Sequence, residues 1–395
     1  MSKNTQTAVS KPNGVKQAKG TSLNPYAAII DGLGLLGCTI RRNDVTREVE
    51  LNGEAATEQR LNSLYIELTG EGCKAKVYEW QLFINSDHIQ CYNPIDDYFH
   101  ECDKQDPPKG YIDALTDSLH LDPAQGMPKA VARLFIRKWL IGVVAGIYGD
   151  YYNALFVILC GPKGCGKTEF WRRLLPDKLR GYYAESKLDA GKDDEALAAK
   201  SLVMMIDEVD HMTRRKDAAE LRRFISANKF SFRAPYARST QTVKRLASLC
   251  GTSNEMQVVT DPENNRRLVP IAITAIDHAA YNAIDKDKLF AEAYHLFKDG
   301  EDWHLTSNDI ALLDQYTAIN AVVETEVELV AKWFVADPDG FMTATDVAVI
   351  LQAGTSLRLR SNMIGRALRA AGFSNFSKRV KGKDPAHGWQ IRPKA

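Results

Sequence analysis

The sequence is organised around Leu155-Phe-Val-Ile-Leu-Cys-Gly-Pro-Lys-Gly-Cys-Gly-Lys-Thr168. This stretch begins as an apolar run typical of a buried strand and continues as a glycine-rich loop. It ends where a helical pattern begins. Gly161, Gly166, Lys167 and Thr168 satisfy the spacing G-x-x-x-x-G-K-[ST], and the strand–loop–helix context that this motif needs is present. We therefore predict a phosphate-binding loop.

The residue types of this loop suit the phosphate tail of a nucleotide. Small residues let consecutive backbone N–H groups point inward, and the start of the following helix adds partial positive charge. Lys167 is expected to reach the β- and γ-phosphates, and the Thr168 hydroxyl is expected to ligate Mg²⁺. The predicted nucleotide-binding residues are Gly161, Pro162, Lys163, Gly164, Cys165, Gly166, Lys167 and Thr168. A fortuitous glycine turn is the alternative, which the agreement of strand, loop and helix signals disfavours.

The composition is that of an ordinary globular protein, with 395 residues of which 45% are hydrophobic and 26% charged. This length allows two or three domains. The net charge of +1 gives no indication of a polyanionic partner for the chain as a whole. Both ends are basic, however, because residues 1–24 hold four lysines and no acid, and residues 355–395 hold ten Lys/Arg against the single Asp384. This distribution hints at contact with nucleic acid.

The seven cysteines are odd in number and show neither C-x-x-C pairs nor histidines at zinc spacing, and Cys165 lies inside the phosphate loop. This pattern favours a reducing cytosol over a disulfide scaffold or a structural zinc site. The N-terminus is polar and lacks the apolar core of a secretory signal. The most apolar stretch, Trp139–Gly149, has about half the length of a membrane span. We therefore expect a soluble, cytoplasmic protein without a membrane partner.

Apolar runs alternate with helical patterns over residues 150–275, which predicts an α/β fold with a parallel-type central sheet flanked by helices. The predicted strands are Leu155–Cys160, Leu202–Ile206, Leu246–Gly251 and Val269–Ile273, and the helix Asp217–Ala227 lies among them. Gly32-Leu-Gly-Leu-Leu-Gly37 matches the dinucleotide fingerprint, but no long helix follows it. We interpret it as the end of a helix over Asn24–Leu36.

A second candidate for the nucleotide site is the acidic pair Asp207 and Glu208, which directly follows the predicted strand Leu202–Ile206. An aspartate at this position can hold the Mg²⁺ shell, and an adjacent glutamate can polarise an attacking water. The acid pair therefore favours hydrolysis over transfer to a small acceptor. The alternative is an ordinary polar strand end.

Two further elements complete the candidate site. Asn254 ends the apolar run from Leu246, where it can hold the attacking water or touch the γ-phosphate, although a simple turn is the alternative. Arg266 and Arg267 precede the strand from Leu268, where a guanidinium can reach the γ-phosphate of a neighbouring subunit. A surface salt bridge is the other interpretation of the arginine pair, and these residues alone do not decide between the two.

Order and spacing from Arg233-Ala-Pro-Tyr236 through Gly251-Thr-Ser-Asn254 to Asn265-Arg-Arg267 resemble the virulence-associated protein E family. These are AAA+ ATPases of phages, satellites and plasmids, similar to superfamily 3 helicases. Asn93-Pro-Ile-Asp-Asp-Tyr98 is similar to the usual lead-in to that ATPase. The resemblance implies a ring, usually hexameric, with ATP and Mg²⁺ between subunits and single-stranded DNA through the centre.

Carried across residue by residue, the resemblance implies that Lys167 and Thr168 bind ATP and Mg²⁺. It also implies that Asp207 and Glu208 serve metal and water and that Asn254 is sensor 1. Arg266 or Arg267 would be the trans-acting finger. The sequence Met205-Ile-Asp-Glu-Val-Asp210 departs from the family pattern toward a general AAA+ sequence, and no polymerase-type primase domain fits before residue 150.

Two basic regions are candidates for DNA contact. Within the alternating, basic stretch Lys229–Arg245, the resemblance implies a hairpin that points into the ring and grips DNA through Arg238 and Lys244, with edge-strand charges that prevent aggregation as the alternative. From Phe341, the order helix, helix and two-stranded ribbon looks like a winged helix, with a basic packing or oligomerisation module as the alternative. The predicted DNA-binding residues are Arg233, Arg238, Lys244, Arg245, Arg366, Arg369, Lys378, Arg379, Lys381 and Lys383.

The predicted organisation has four parts. Residues 1–24 form a disordered basic tail, residues 25–128 an N-terminal mixed α/β accessory or oligomerisation domain, residues 129–335 the AAA+ P-loop ATPase domain, and residues 336–395 a winged-helix-like DNA-binding domain. The predicted function is that of an ATP-dependent DNA helicase or translocase acting in the replication of a phage, satellite or other mobile element, as a ring on single-stranded and origin DNA, with replication proteins of the host or element as further partners. A nucleotide-dependent initiator without processive unwinding is the main alternative, and a small-molecule kinase is disfavoured by the acid and arginine pairs.

Overall fold

The structure, a computed structural model, describes residues 24–125, 127–188, 191–209, 215–232, 241–255, 267–317, 325–355, 359, 361–378 and 386–394. Its internal contacts divide the chain into two compact units, Met1–Tyr98 and Phe99–Ala395. Within the described part, every helix is too short or too polar to cross a lipid bilayer.

The smaller unit combines helices with a short sheet. Its elements are α1 (Pro25–Leu35), β1 (Ile40–Asn43), β2 (Val49–Leu51), β3 (Glu54–Ala55), α2 (Glu58–Gly70), α3 (Val77–Ile84) and β4 (Gln90–Tyr92), and α4 (Pro94–Cys102) contains the division point. The strands are ordered β3-β2-β1-β4, with β1 antiparallel to β2 and parallel to β4. The Asn24 side chain accepts from the N–H of Tyr26 and caps α1.

The glycine-rich segment Gly32–Gly37 ends a helix, as predicted. Helix α1 stops at Leu35, Gly37 adopts a φ of 60° in the left-handed region, and β1 begins at Ile40. Glycine reaches this region without steric cost, which is why it commonly terminates helices. The interpretation of this segment as a helix end rather than a dinucleotide site is therefore confirmed.

The larger unit is built on alternating strands and helices. In chain order it contains α5 (Tyr111–Asp117), β5 (Leu119–Leu121), α6 (Lys129–Ala145), β6 (Phe156–Cys160), α7 (Lys167–Arg172), β7 (Tyr183–Ser186), α8 (Lys192–Lys200), β8 (Val203–Ile206), α9 (Arg215–Ser226), β9 (Lys229–Phe232), β10 (Gln241–Lys244), β11 (Ser248–Ser253), β12 (Leu268–Ile276), α10 (His278–Ala283), α11 (Lys286–Lys298) and α12 (Ser307–Thr317). Short 3₁₀ turns cover Pro123–Gln125 and Asp177–Tyr182.

Among the described residues, six strands form the main sheet, in the order β5-β12-β6-β11-β8-β7. All neighbouring pairs from β12 to β7 are parallel, and β5 alone joins antiparallel, at the edge beside β12. Every residue of β6, β8 and β11 is buried, as expected for parallel strands covered on both faces. The predicted α/β fold with a parallel-rich central sheet is confirmed. Strands β5 and β7 are additional to the prediction, and β5 lies before the predicted domain boundary at residue 128.

The strand register brings the candidate residues together at the carboxyl ends of the parallel strands, which we call the carboxyl edge of the sheet. Cys160 at the end of β6 pairs with Ser253 of β11, and Ile206 at the end of β8 pairs with Gly251. The phosphate loop, Asp207 and Asn254 follow these strand ends directly in the chain. Two buried indoles brace β11 from the helices: Trp139 of α6 donates to the Leu249 carbonyl at 2.8 Å and Trp171 of α7 donates to the Gly251 carbonyl at 2.9 Å.

The C-terminal part of the larger unit has its own apolar core. Its elements are α13 (Thr325–Trp333), β13 (Phe334–Ala336), α14 (Ala344–Gly354), α15 (Ser361–Ala370), β14 (Asn375–Lys378), β15 (Ala386–Trp389) and β16 (Ile391–Pro393). Thr343 and Asp346 form a capping box that starts α14. Residues 318–324, between α12 and α13, lie outside the described part of the chain.

Candidate nucleotide site at the carboxyl edge of the sheet

The loop after β6 contains two positions, Gly161 and Gly166, that only glycine can occupy without a steric clash. A Cβ on Gly161 would lie 2.3 Å from the Ile273 carbonyl oxygen of the neighbouring strand. Gly166 has a φ of 92°, and a Cβ there would lie 2.4 Å from Cε1 of His278. The loop is therefore packed tightly against β12 and α10. This close packing gives the glycines of the motif a physical reason that is independent of the sequence pattern.

Lys167 lies at the centre of the loop and is 93% buried, since its relative exposure is 7%. Its Nζ donates to the carbonyl oxygens of Gly161 and Pro162, both at 2.8 Å, and lies 3.4 Å from Oδ1 of Asn254. Phosphate oxygens bind an ammonium more strongly than carbonyls do, because the bond is charged on both sides. The lysine is thus held at the loop in a position from which it can exchange carbonyl partners for phosphate.

Asp207 and Glu208 follow β8 and are tied to β11 through Thr252. The Thr252 hydroxyl donates to Oδ1 of Asp207 at 2.6 Å, and its oxygen accepts the backbone N–H of Glu208 at 3.1 Å. Thr252 is 2% exposed, so this connection lies in the interior. One buried hydroxyl therefore fixes the orientation of both acidic residues. Thr252 was not among the predicted site residues, although it precedes Asn254 by two residues, the period at which side chains of a strand lie on the same face.

Glu208 has a strained backbone. Its φ of 53° lies in the left-handed region, where non-glycine residues are uncommon. Such strain persists only where surrounding contacts impose it, and it concentrates at functional sites. The Thr252 bond supplies one such contact, and Nζ of Lys187 lies 3.7 Å from a Glu208 carboxylate oxygen. The backbone thus turns sharply at the residue that was predicted to polarise water.

A triphosphate with Mg²⁺ fits the residues at this edge. Gly161 and Gly166 allow the close approach of a ligand to the backbone, and Lys167 supplies the cation. Thr168 is half-buried at the start of α7 and Asp207 is half-buried beside Thr252, so each can offer one oxygen. Among the described residues no cluster of three or more His, Cys, Asp or Glu side chains is placed to hold a metal. Mg²⁺ in nucleotide sites takes most of its ligands from phosphate and water.

Of the two predicted arginines, Arg267 lies at the amino ends of the strands and not at the phosphate loop, and Arg266 lies outside the described residues. Arg267 immediately precedes β12, and the adjacent residue Leu268 pairs with Phe156, the first residue of β6. Its Nη1 donates to the hydroxyl of Ser226. Five residues of β6 separate this level from the phosphate loop, which corresponds to about 17 Å. Arg267 therefore does not belong to the site of its own chain.

Strands β9 and β10 form the antiparallel ribbon that was predicted for the first basic region, with Lys229 paired to Lys244. Lys244 is half-buried, and its Nζ donates to the Gly149 carbonyl at 2.6 Å. Burial lowers the pKa of Lys244, partly offset by Asp150. Arg233 and Arg238, which come between β9 and β10 in the sequence, lie outside the described residues.

The prediction that Arg245 contacts DNA is wrong for this structure. Its relative exposure is 0%, and its guanidinium donates to the carbonyls of Phe224, Ile225 and Asn153 at 2.7–3.0 Å. Arg245 also stacks over the Tyr152 ring, with 5.0 Å between Cζ and the ring centroid. Burial lowers the pKa of Arg245 to about 10. The guanidinium therefore joins α9 to the chain entering β6 and has no surface to offer a phosphate.

Replacing Arg245 by alanine is expected to destabilise the fold by about 3–5 kcal/mol, because three buried carbonyls lose their donor and a cavity remains. Arg245→Lys should lose less, since one ammonium keeps part of these bonds. Lys244→Ala is the matched control and should cost under about 1 kcal/mol. Urea unfolding of the three variants measures these differences. Equal midpoints for Arg245→Ala and Lys244→Ala would contradict the buried role.

The remaining predicted DNA-binding residues lie in the C-terminal part. Arg369 is exposed on α15 and Arg366 lies on the same helix, while Lys378 ends β14. The antiparallel pairing of β14 with β15 agrees with the predicted ribbon. Arg379, Lys381 and Lys383, which the sequence places at its tip, lie outside the described residues.

His278 is a residue at the site that sequence reasoning missed. It is exposed at the start of α10, and its imidazole packs over Gly166 of the phosphate loop. No motif marks it, since its place depends on β12 running parallel to and beside β6. The only sequence signal is its position just after the strand that neighbours the phosphate-loop strand.

Comparison with known proteins gives one family. The apo structure of the NrS-1 C-terminal region (305–718) has 12% sequence identity and a TM-score of 0.47, covering 94% of this chain and 100% of that chain. The A-form apo structure of the same region also gives 12% identity and a TM-score of 0.47, over 93% of this chain and 100% of that chain. A search of curated proteins found no significant match. The profile of the virulence-associated protein E-like domain matches residues 117–319, slightly more than half of the chain. The chain therefore belongs to the virulence-associated protein E-like domain family.

Proposed function

We propose that this protein is an ATP-hydrolysing DNA translocase that acts in the replication of a phage, satellite or other mobile element. One observation carries the proposal. Lys167, Asn254 and Asp207 follow three neighbouring parallel strands; Nζ of Lys167 lies 3.4 Å from Oδ1 of Asn254, and Thr252, two residues before Asn254, donates to Oδ1 of Asp207. A phosphate-binding cation, a metal-binding carboxylate and a polar amide thus meet at one edge of a sheet. Membership of the virulence-associated protein E-like family supports the same function.

Each residue has a defined task in this proposal. Lys167 and the loop N–H groups bind the β- and γ-phosphates, and Thr168 and Asp207 provide oxygens for Mg²⁺, which neutralises charge on the phosphates. Glu208 accepts a proton from the attacking water, and Asn254 orients that water or the γ-phosphate. Thr252 positions Asp207 and Glu208 without touching the nucleotide. Hydrolysis rather than phosphoryl transfer is favoured by this acidic pair.

A ring of identical subunits, most simply a hexamer, is part of the proposal. Arg267 lies at the amino ends of the strands, whereas the phosphate loop of its own chain lies at their carboxyl ends. A guanidinium there can assist hydrolysis only at the nucleotide of a neighbouring copy, as a trans-acting finger does. Interfaces that join two different faces of a subunit in this way generate rings when the rotation between neighbouring subunits closes.

DNA contact is assigned to two regions of the larger unit. The β9–β10 ribbon, through Lys244 of β10 and through Arg233 and Arg238 of the segment that joins its two strands, would hold one DNA strand by its phosphates. We further propose that α14, α15 and the β14–β15 ribbon form a winged-helix-like module. In it α15, with Arg366 and Arg369, would face a groove, and Lys378, Arg379, Lys381 and Lys383 would contact the backbone.

A replication initiator that melts or marks an origin without processive unwinding is the second candidate. The helix–helix–ribbon order of the C-terminal part favours it, because modules of this kind bind duplex DNA. The two candidates share the ATPase and differ in what hydrolysis achieves. Strand displacement on forked DNA separates them.

We expect single-stranded DNA to stimulate ATP hydrolysis by the full chain at low salt, because phosphate contacts couple the ribbon to the strand, and we expect the stimulation to fall as salt rises. A steady-state ATPase assay with and without oligo-dT measures this. Native mass spectrometry with ATP and DNA should show assemblies larger than a dimer. Turnover that ignores DNA at low salt, in a protein that stays monomeric with ATP, would overturn the proposed function.

A further inference from the structure

A cavity of about 370 Å³ opens in the larger unit at the amino ends of β6 and β12. Its lining includes Tyr151, Tyr152, Leu155, Arg267, Trp303 and His304, and we call it the aromatic pocket. Leu155 directly precedes β6, whereas the phosphate loop follows the other end of this five-residue strand. The two sites of one chain are therefore separated by about 17 Å. The aromatic pocket has the size of a small-ligand site and is not part of the nucleotide site described above.

Three aromatic rings shape the inside of the pocket. Trp303 forms the floor with 9% exposure, His304 stacks on it with 3.8 Å between ring centroids, and Tyr151 meets its edge at 5.9 Å. Tyr151 is 52% exposed and the His304 side chain 61% exposed, so both rings present free surface. Asp302 is engaged with His304, 3.2 Å from Nδ1. Flat aromatic surfaces of this kind stack with unpaired nucleobases of any sequence.

Buried polar groups hold both walls of the pocket in place. Lys138, which is 7% exposed, donates to the carbonyls of Asp302 and His304 at 2.8 and 2.7 Å. On the other side, Arg245 donates to the Asn153 carbonyl at 2.7 Å. A site fixed before its ligand arrives loses less conformational entropy on binding. Two buried cations thus anchor surface segments that would otherwise have freedom to move.

The mouth of the pocket carries more positive than negative charge. Asp150 lines the pocket, and Nζ of Lys229 lies 3.5 Å from its carboxylate. Lys244 is tied to the neighbouring Gly149 carbonyl, and Arg267 adds a third cation from the start of β12. Three cations, Lys229, Lys244 and Arg267, therefore lie near the rings together with two carboxylates, Asp150 and Asp302. Rings for a base next to cations for a phosphate are the combination that binds nucleotides.

We propose that the aromatic pocket binds one nucleotide unit, with the base against Tyr151 and His304 and the phosphate against Lys229 and Lys244. A free mononucleotide and a nucleotide within a single strand present the same chemistry. The strand is the favoured source, because Lys229 and Lys244 are also the first and last residues of the β9–β10 ribbon. For that source, the inference rests on the proposed contact of the ribbon with DNA.

The test uses the full chain and a fluorescein-labelled oligo-dT in low salt, measured by fluorescence anisotropy. Tyr151→Ala is expected to weaken binding about tenfold, the loss of one stacked base, and Tyr151→Phe should restore it because the ring remains. Tyr78→Ala is the matched control, since Tyr78 is 55% exposed in the other unit and should bind like the wild type. In an oligonucleotide that carries 5-iodouridine, light should crosslink the strand to peptides containing Tyr151, Trp303 or His304.

Competition with dTMP separates the two sources: displacement of the strand at comparable concentration indicates a free-nucleotide site, and retention indicates a strand site. The inference is overturned if Tyr151→Ala and His304→Ala bind like the wild type, if crosslinks map only elsewhere, or if the wild type binds neither probe. It is also overturned if these variants change the mass of the assembly and not the affinity, because the occupant is then a second copy. If the strand binds through the pocket but the protein shows no ATPase activity, the proposed function is contradicted and the inference about the pocket stands.

Discussion

Lys167→Ala is expected to abolish ATP hydrolysis, lowering turnover by about two to three orders of magnitude or more. The ammonium is the cation of the phosphate loop, and it is already held at the loop by the carbonyls of Gly161 and Pro162. In water-excluded surroundings one positive charge aimed at the γ-phosphate stabilises the transition state far more than it would in bulk water. No other lysine contacts the loop carbonyls among the described residues.

The measurement is steady-state phosphate release at saturating ATP, with Lys200→Ala as the control. Lys200 is exposed at the end of α8, so this variant removes the same charge from the same unit without touching the site. Lys167 is buried, and its loss leaves the two loop carbonyls without this donor, so thermal unfolding must be compared in parallel. Lys167→Met keeps the apolar stem and tests the charge alone. A folded Lys167→Met variant that hydrolyses ATP at the normal rate would disprove the assignment.

Local sequence was sufficient where a function is encoded in consecutive residues. The loop from Gly161 to Thr168 and the strand before Asp207 were predicted because each motif lies within one strand and its end. The parallel sheet followed from the alternation of apolar runs with helices. Strand β7 was missed because Tyr183-Ala-Glu-Ser186 lacks the apolar run on which the other strands were predicted, and its parallel pairing with β8 is what makes it a strand.

Contacts across the sheet could not be predicted in the same way. Thr252 reaches Asp207 and Glu208 only because β11 pairs with β8 in a particular register, which a single sequence does not reveal. Arg245 was predicted to lie at the surface because it ends a basic, alternating stretch. Its guanidinium is instead buried, where it donates hydrogen bonds to carbonyls of α9 and Asn153. A charge pattern therefore indicates a solvated face only when nothing packs over it. The same limit hid the aromatic pocket, whose walls come from segments far apart in the chain.

Arg267→Ala is expected to reduce ATP turnover by about three orders of magnitude or more while leaving ATP binding nearly intact. In the proposed role as a trans-acting finger, the guanidinium acts on the charge that develops in the transition state, so binding of the ground state changes little. Within one chain the sheet separates Arg267 from the phosphate loop, so the loss arises at the boundary between two copies. Arg180→Ala, at a side chain that is 61% exposed, is the matched control. Arg266→Ala, measured alongside, decides which of the two adjacent arginines is the finger.

Mixing tests the trans arrangement directly. Lys167→Ala subunits keep the finger and Arg267→Ala subunits keep the phosphate loop, so in a mixed ring about a quarter of the interfaces combine the two intact halves. Two preparations that are each inactive should therefore regain measurable ATPase activity when mixed under conditions that allow subunit exchange. An arginine that acted within its own chain, or only stabilised the fold, would give no recovery at any ratio. Recovery that appears only when nucleotide or DNA brings the copies together would tie hydrolysis to assembly, since the complete site then exists in the ring and not in the single chain.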